Sequence, residues 1–156
     1  MLPDTKTVPD VLRDHPFFDG LSDELIELIS GCGRFERVAA GEVMFREEGR
    51  SDEFYVVLEG RIALQLTASP SKTITLDTVD SGEVIGWSWL IGPHRWRCTA
   101  KAVEPTRLIT INGACLRGKC ENDKELGYDL LLRFSQVLAE RLEATRLQLM
   151  DIYAND

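Results

Sequence analysis

Histidine is scarce in this chain: only His15 and His94 are present, and they are far apart in sequence. Metal centres in β-roll enzymes draw on clustered histidines and a carboxylate, so no metal ligand set is assigned. No serine sits on a strand-turn-helix elbow with a histidine to serve it, which leaves no catalytic residue to name and no enzyme to expect. Cysteine is also sparse, with Cys32, Cys98, Cys115 and Cys120 and no CxxC pair. That is too few for a stapled secreted fold, so reduced thiols are expected. Basic residues are the minority sign, 18 Lys and Arg against 26 Asp and Glu, for a net charge of −8. An acidic surface argues against direct nucleic-acid binding, which needs phosphates neutralised, and against an anionic membrane. No apolar run is long enough to span a bilayer, and MLPDTKTVPDVLRDH has acids and prolines where a secretion signal needs an apolar core. A cytoplasmic location is the expectation.

What the chain does have is apolar content for one core. With 156 residues, 44% of them hydrophobic, it can fold as a single domain without metals or cross-links. Residues 1–14 read as a polar, flexible segment and residues 15–156 as the domain. Ser22 can cap a short helix carrying Leu25, Ile26, Leu28 and Ile29 and ending at Gly31. From Phe35 to Ile111 short alternating runs are separated by Gly, Pro, Ser and Asp, the pattern of an antiparallel roll. Strands are predicted near 35–38, 42–46, 53–58, 61–67, 73–79, 84–85, 97–103 and 106–111, with residues 67–72 as a hairpin tip. The fold class is therefore α+β: a jelly-roll-like antiparallel β-roll with short N-terminal helices and a long C-terminal helix.

That last helix is predicted over about 123–153, with Asn122 and Glu125 spaced as a capping box and Asn112 capping a shorter helix before it. Leu131, Phe134, Leu138, Leu142, Thr145, Leu149 and Ile152 recur at alternating three- and four-residue steps, the seam of a helix packed on a partner. The first half of the stripe can be covered by the chain's own roll. The second half reaches past it, so a homodimer through these helices is expected. Arg133, Gln136 and Arg141 are polar enough to face either a ligand or solvent.

The most informative stretch is GEVIGWSWLIGPHRWRCTAKA, residues 82–102. Gly82 and Gly86 let the backbone turn tightly and approach a ligand, and freed N–H groups in such a turn form an anion-binding concavity. Trp87, Ser88 and Trp89 follow, and then Arg95 and Arg97 flank Trp96. On an extended chain the two guanidinium groups share one side and Trp96 faces the other. A guanidinium pairs with phosphate or carboxylate, and an indole stacks on rings or cations.

Together with AAGEVMFREEGRSDEFYVVLEGRIALQL at residues 39–66, this segment resembles the cyclic nucleotide-binding domains of the catabolite activator protein and of kinase regulatory subunits. The resemblance runs from about His15 to the last helix. It implies a ligand-sensing regulatory domain, with no cofactor beyond a cyclic nucleotide or another small anionic ligand. It also implies that the last helix lids the pocket and passes the signal to a downstream protein partner. In the family the carboxylate of a Gly-Glu pair holds the ribose 2′-hydroxyl, and an Arg followed by small residues and Ser or Thr holds the cyclic phosphate. Aligned without gaps, Trp87 takes the carboxylate position and Trp96 the arginine position. Arg97, Cys98 and Thr99 take those of the small residues. Two lost charged contacts, each contributing about 1.5–3 kcal/mol, weaken a nucleotide by about two to four powers of ten.

The resemblance thus implies a site of Gly86, Trp87, Ser88, Arg95, Trp96, Arg97, Cys98 and Thr99 under one of three readings. The pocket is remodelled for a non-standard nucleotide or other small anion; or it is filled by its tryptophans and the chain is a structural dimerisation module; or Arg95 or Arg97 restores ordinary cAMP binding.

Overall fold

The alternation beginning near Phe35 is realised as eight antiparallel strands in two four-stranded sheets, seen in a computed structural model that describes residues 6–154. They are β1 (Gly33–Val38), β2 (Val43–Phe45), β3 (Glu53–Glu59), β4 (Arg61–Ser69), β5 (Lys72–Asp80), β6 (Val84–Ile85), β7 (Thr99–Ala102) and β8 (Thr106–Asn112). The first sheet runs β1-β8-β3-β6 and the second β2-β7-β4-β5. All eight overlap the predicted strands. The β7 strand is shorter than expected, because residues 91–98 form an irregular loop, and the β4–β5 tip narrows to Pro70 and Ser71.

Period-two alternation gives the first sheet two apolar faces. Tyr55, Val57, Ile85 and Leu108 turn inward against Phe45, Ile62, Leu64, Val79 and Ala100 and fill the roll. Their chain neighbours Phe54, Val56, Val84 and Ile109 turn outward and join the helices in a second core. The helices are α1 (Val8–Asp14), α2 (Asp23–Ser30), α3 (Gly113–Asn122) and α4 (Lys124–Ala154), with a short 3₁₀ turn at Pro16–Phe18.

Local chemistry sets their ends. Ser22 accepts from Leu25 N–H at 3.3 Å and Asn112 from Cys115 N–H at 2.8 Å, as the sequence suggested. His15 caps the 3₁₀ turn through Phe17 N–H at 3.2 Å, and its Nε2 lies 3.1 Å from the Val57 carbonyl. Since Nδ1 accepts, Nε2 carries the proton. Burial holds this imidazole below its usual pKa.

Four expectations are corrected. The segment to Asp14 is not loose over its described part: Thr7 and Asp10 form a capping box on α1, and Leu12 is fully buried. The cap of α4 is Asp123, whose carboxylate accepts from Leu126 N–H at 3.1 Å, in place of the Asn122–Glu125 box. Cys32 and Cys115 are not free thiols but a disulfide, with Cα atoms 5.9 Å apart and a sequence separation of 83. Spacing along the chain cannot reveal a pair that only the docking of α3 beside the start of β1 brings together. Lastly, Phe134 does not belong to a partner-facing seam. It meets Phe17, Phe54 and Trp89 at centroid distances of 4.9, 5.2 and 5.7 Å and is buried against its own domain. Of the remaining stripe, Leu138 is half-buried, while Leu131, Leu142, Thr145, Leu149 and Ile152 are exposed.

Candidate ligand site

Between β6 and β7 the chain leaves the first sheet, crosses the end of the roll and enters the second sheet. Gly86 makes the exit at φ +102°, a left-handed conformation that favours glycine. A single turn follows, with Leu90 N–H on the Trp87 carbonyl at 3.0 Å. The return limb is pinned to residues 48–51: Glu48 N–H meets the Trp96 carbonyl at 2.9 Å, Trp96 N–H the Gly49 carbonyl at 2.8 Å, and Ser51 N–H the His94 carbonyl at 2.8 Å. His94 also reaches back, with Nδ1 2.7 Å from the Ser88 carbonyl. The peptide between Gly92 and Pro93 is cis.

This frame drives Trp96 inward. Its indole lies on Phe45 at 3.5 Å between centroids and 9° between planes, with Tyr55 a further 6.2 Å neighbour, and only 6% of the residue is exposed. A Cβ on Gly86 would sit 2.9 Å from the same indole, so the glycine is needed for its approach as well as for its own dihedral. Arg95 and Arg97 are both exposed, while Trp96 between them is buried. Arg95 Nη1 donates to the Glu48 carbonyl at 3.1 Å, and Arg97 is exposed.

The eight candidate residues therefore do not converge on one cavity. Trp96 and Cys98 belong to the core of the roll, but Trp87 packs half-buried on the helix side of the sheet. Trp89 is fully buried there on Phe54, its indole N–H without a partner among the described residues. Ser88 is buried with its carbonyl engaged, and the Thr99 hydroxyl accepts from Glu47 N–H at 3.0 Å. Burial pushes the Cys98 thiol up to about 11, so it stays protonated at neutral pH.

The last helix contributes what the loop lacks. Arg141 Nη2 donates to the Val84 carbonyl at 2.7 Å, and its Nε lies 3.8 Å from Asp77, tying α4 to β5 and β6 beside Cys98. One turn-pair earlier, Arg133 Nη1 donates to the Phe17 carbonyl at 2.7 Å and Nε pairs with Asp129. Both arginines, with Gln136, Glu140, Glu83 and Phe17, border a groove of about 560 Å³ between α4 and the roll. The sequence singled out Arg133, Gln136 and Arg141 but had no signal for the face they use, because Arg133 and Arg141 are held there by carbonyls of distant segments.

A two-sheet β-roll crossed at one end by a glycine-bracketed loop, and flanked by a long C-terminal helix, defines a ligand-binding regulatory architecture. The cyclic nucleotide-binding domain family matches residues 35–123, more than half of the chain, and the protein belongs to that family. A solved structure from Geobacter metallireducens, classed as a cyclic nucleotide-binding protein, is 32% identical with a TM-score of 0.78. The match covers 88% of this chain and 99% of that one. The regulatory domain of Toxoplasma gondii PKA, solved with cAMP, shares the fold at a TM-score of 0.67 and 18% identity, over 83% of this chain and 48% of that one. The cGMP-dependent protein kinase isozyme 1 of Drosophila melanogaster is 28% identical over 96 residues, which is 60% of this chain but 12% of the kinase. Among the described residues no helix is long and apolar enough to cross a membrane, and no group of three or more His, Cys, Asp or Glu side chains is placed to hold a metal.

Proposed function

We propose that this regulatory domain senses a ligand other than an ordinary cyclic mononucleotide. The observation that carries this reading is the indole of Trp96 lying inside the roll, on Phe45 and Gly86; the ungapped alignment assigns this residue to the family's phosphate-binding arginine. A ligand approaching this loop meets Arg95 and Arg97, both exposed, as receivers for an anion. Arg141 gives such a ligand a route outward. Its grip on Asp77 and the Val84 carbonyl holds α4 to the mouth of the roll, and an anion there competes with Asp77 for the guanidinium and so shifts the helix. The bare second half of α4 presents Leu142, Leu149 and Ile152, each more than half exposed, to a second copy or a downstream protein.

A thermal-shift panel of cAMP, cGMP, cyclic dinucleotides and small anions tests the ligand, because a compound that binds only the folded form raises the melting temperature by mass action. The expected result is a shift with a compound outside the cyclic mononucleotides. A shift with cAMP that Arg95→Ala or Arg97→Ala abolishes would overturn the proposal in favour of ordinary binding. The 6% exposure of Trp96 also favours a second reading, a dimerisation module with a filled pocket. That reading gains if no compound shifts the melting temperature while light scattering gives a dimer that Leu142→Lys with Leu149→Lys dissociates.

A further inference from the structure

The outer face of the first sheet carries a groove of about 830 Å³ that lies away from the β6–β7 loop, and its chemistry differs from that of the roll. Near Gly33 this face is covered by Val8 of α1, but two residues further along β1 the cover ends and Phe35 is left 45% exposed. Phe35, Leu58 and Val11 make an apolar floor and wall. The buried edge of His15 with Pro16 closes one end.

The rim is positively charged in an unusual way. Arg37 on β1 and Arg107 on β8 are direct cross-strand partners, and both side chains point to this face because Val38, Thr106 and Leu108 point to the other. Like charges directly opposite each other on antiparallel strands repel. Arg107 is compensated by Glu59 at 2.9 Å on the next strand, whereas Arg37 forms no ion pair with any described residue. The other charges at the groove are already matched. Lys6 lies 3.6 Å from Asp14, and Glu36 accepts from the Thr110 hydroxyl and sits 3.7 Å from Arg34. One guanidinium is thus left over, at the edge of an exposed apolar floor, on a protein whose net charge is −8.

We infer that this groove binds a small amphipathic carboxylate, an acyl chain lying along Phe35 and Leu58 with its carboxylate on Arg37. An apolar site with one well-placed polar group is the usual make-up of a small-molecule pocket, and this volume falls within the usual range. Carboxylate binding also offsets what Glu59 leaves of the Arg37–Arg107 repulsion, which adds to the contact with Arg37 at the charged end of the ligand. The site is independent of the reading given above for the β6–β7 loop.

Titration of the isotopically labelled protein with sodium decanoate, followed by amide NMR, tests it. Saturable shifts are expected at Phe35, Arg37 and Leu58, with 1-decanol, which lacks the charge, binding at least about tenfold more weakly. Arg37→Gln, at an exposed side chain with no ion pair, keeps the fold by circular dichroism and weakens decanoate by about tenfold or more. Phe35→Ser weakens both compounds together. No saturable shift, shifts confined to residues 86–99, or equal affinity of the Arg37→Gln protein would each overturn the inference.

Discussion

Trp96 and Phe45 lie face to face, centroids 3.5 Å apart and planes within 9°, although they come from opposite ends of the second sheet's chain path. Removing the indole with Trp96→Ala opens a cavity in the roll and is expected to cost about 3–5 kcal/mol in urea unfolding. A double-mutant cycle with Phe45→Ala is expected to return a coupling of about 0.5–1.5 kcal/mol for the stack. Additive single effects would mean that the two rings do not support each other.

Gly86→Ala separates two reasons for a glycine. The backbone there is left-handed at φ +102°, and the added Cβ would also stand 2.9 Å from the indole of Trp96. Gly41 has a similar φ of +86° with nothing within 4 Å, so Gly41→Ala reports the backbone cost alone. Both variants should lower the melting temperature. Gly86→Ala should lower it further, by the equivalent of about 1–3 kcal/mol in all, and should change the near-ultraviolet circular dichroism of the tryptophans.

The Cys32–Cys115 bond closes a long loop and joins the end of α2 to the start of α3. Thiol titration of the unfolded, unreduced protein should find two free thiols, Cys98 and Cys120, and four after reduction. Reduction, or Cys115→Ser, is expected to cost about 2–5 kcal/mol, read as the drop in urea midpoint at constant slope. Four thiols before reduction would show the bond absent in solution.

Stability should fall on mild acidification. His15 is buried as the neutral tautomer, and its pKa in the folded protein lies below the unfolded value near 6.5. Within the interval between the two values the unfolded chain binds more protons, so stability is intact above about pH 6.5 and declines as the pH drops below it. His15→Asn keeps a capping side chain for the 3₁₀ turn and cannot titrate. Its melting temperature should therefore vary less than that of the natural protein between pH 7.5 and 5.

The roll was legible because its signal is local. Alternation places Phe54 and Tyr55 on opposite faces of one strand whatever surrounds them, and Gly82 and Gly86 mark turns by their own dihedrals. Ser22 and Asn112 act on backbone donors three residues ahead, so their caps were readable too. The site was only half legible. Alternation predicted that Trp96 would face away from Arg95 and Arg97, but not that Trp87 would leave the roll for the helix side. The grip of Arg141 on Val84, the burial of Phe134 and the Cys32–Cys115 bond join segments far apart in the chain, 57 positions in the first case and 83 in the last, and no short-range pattern encodes such meetings.

The first sheet is one residue thick between two apolar interiors, with Phe54, Val56 and Val84 on one side and Tyr55, Val57 and Ile85 on the other. It therefore acts as a diaphragm. The residues that face the roll and those that face the helices are adjacent links of the same two strands, so neither interior can be repacked without moving the backbone that bounds the other.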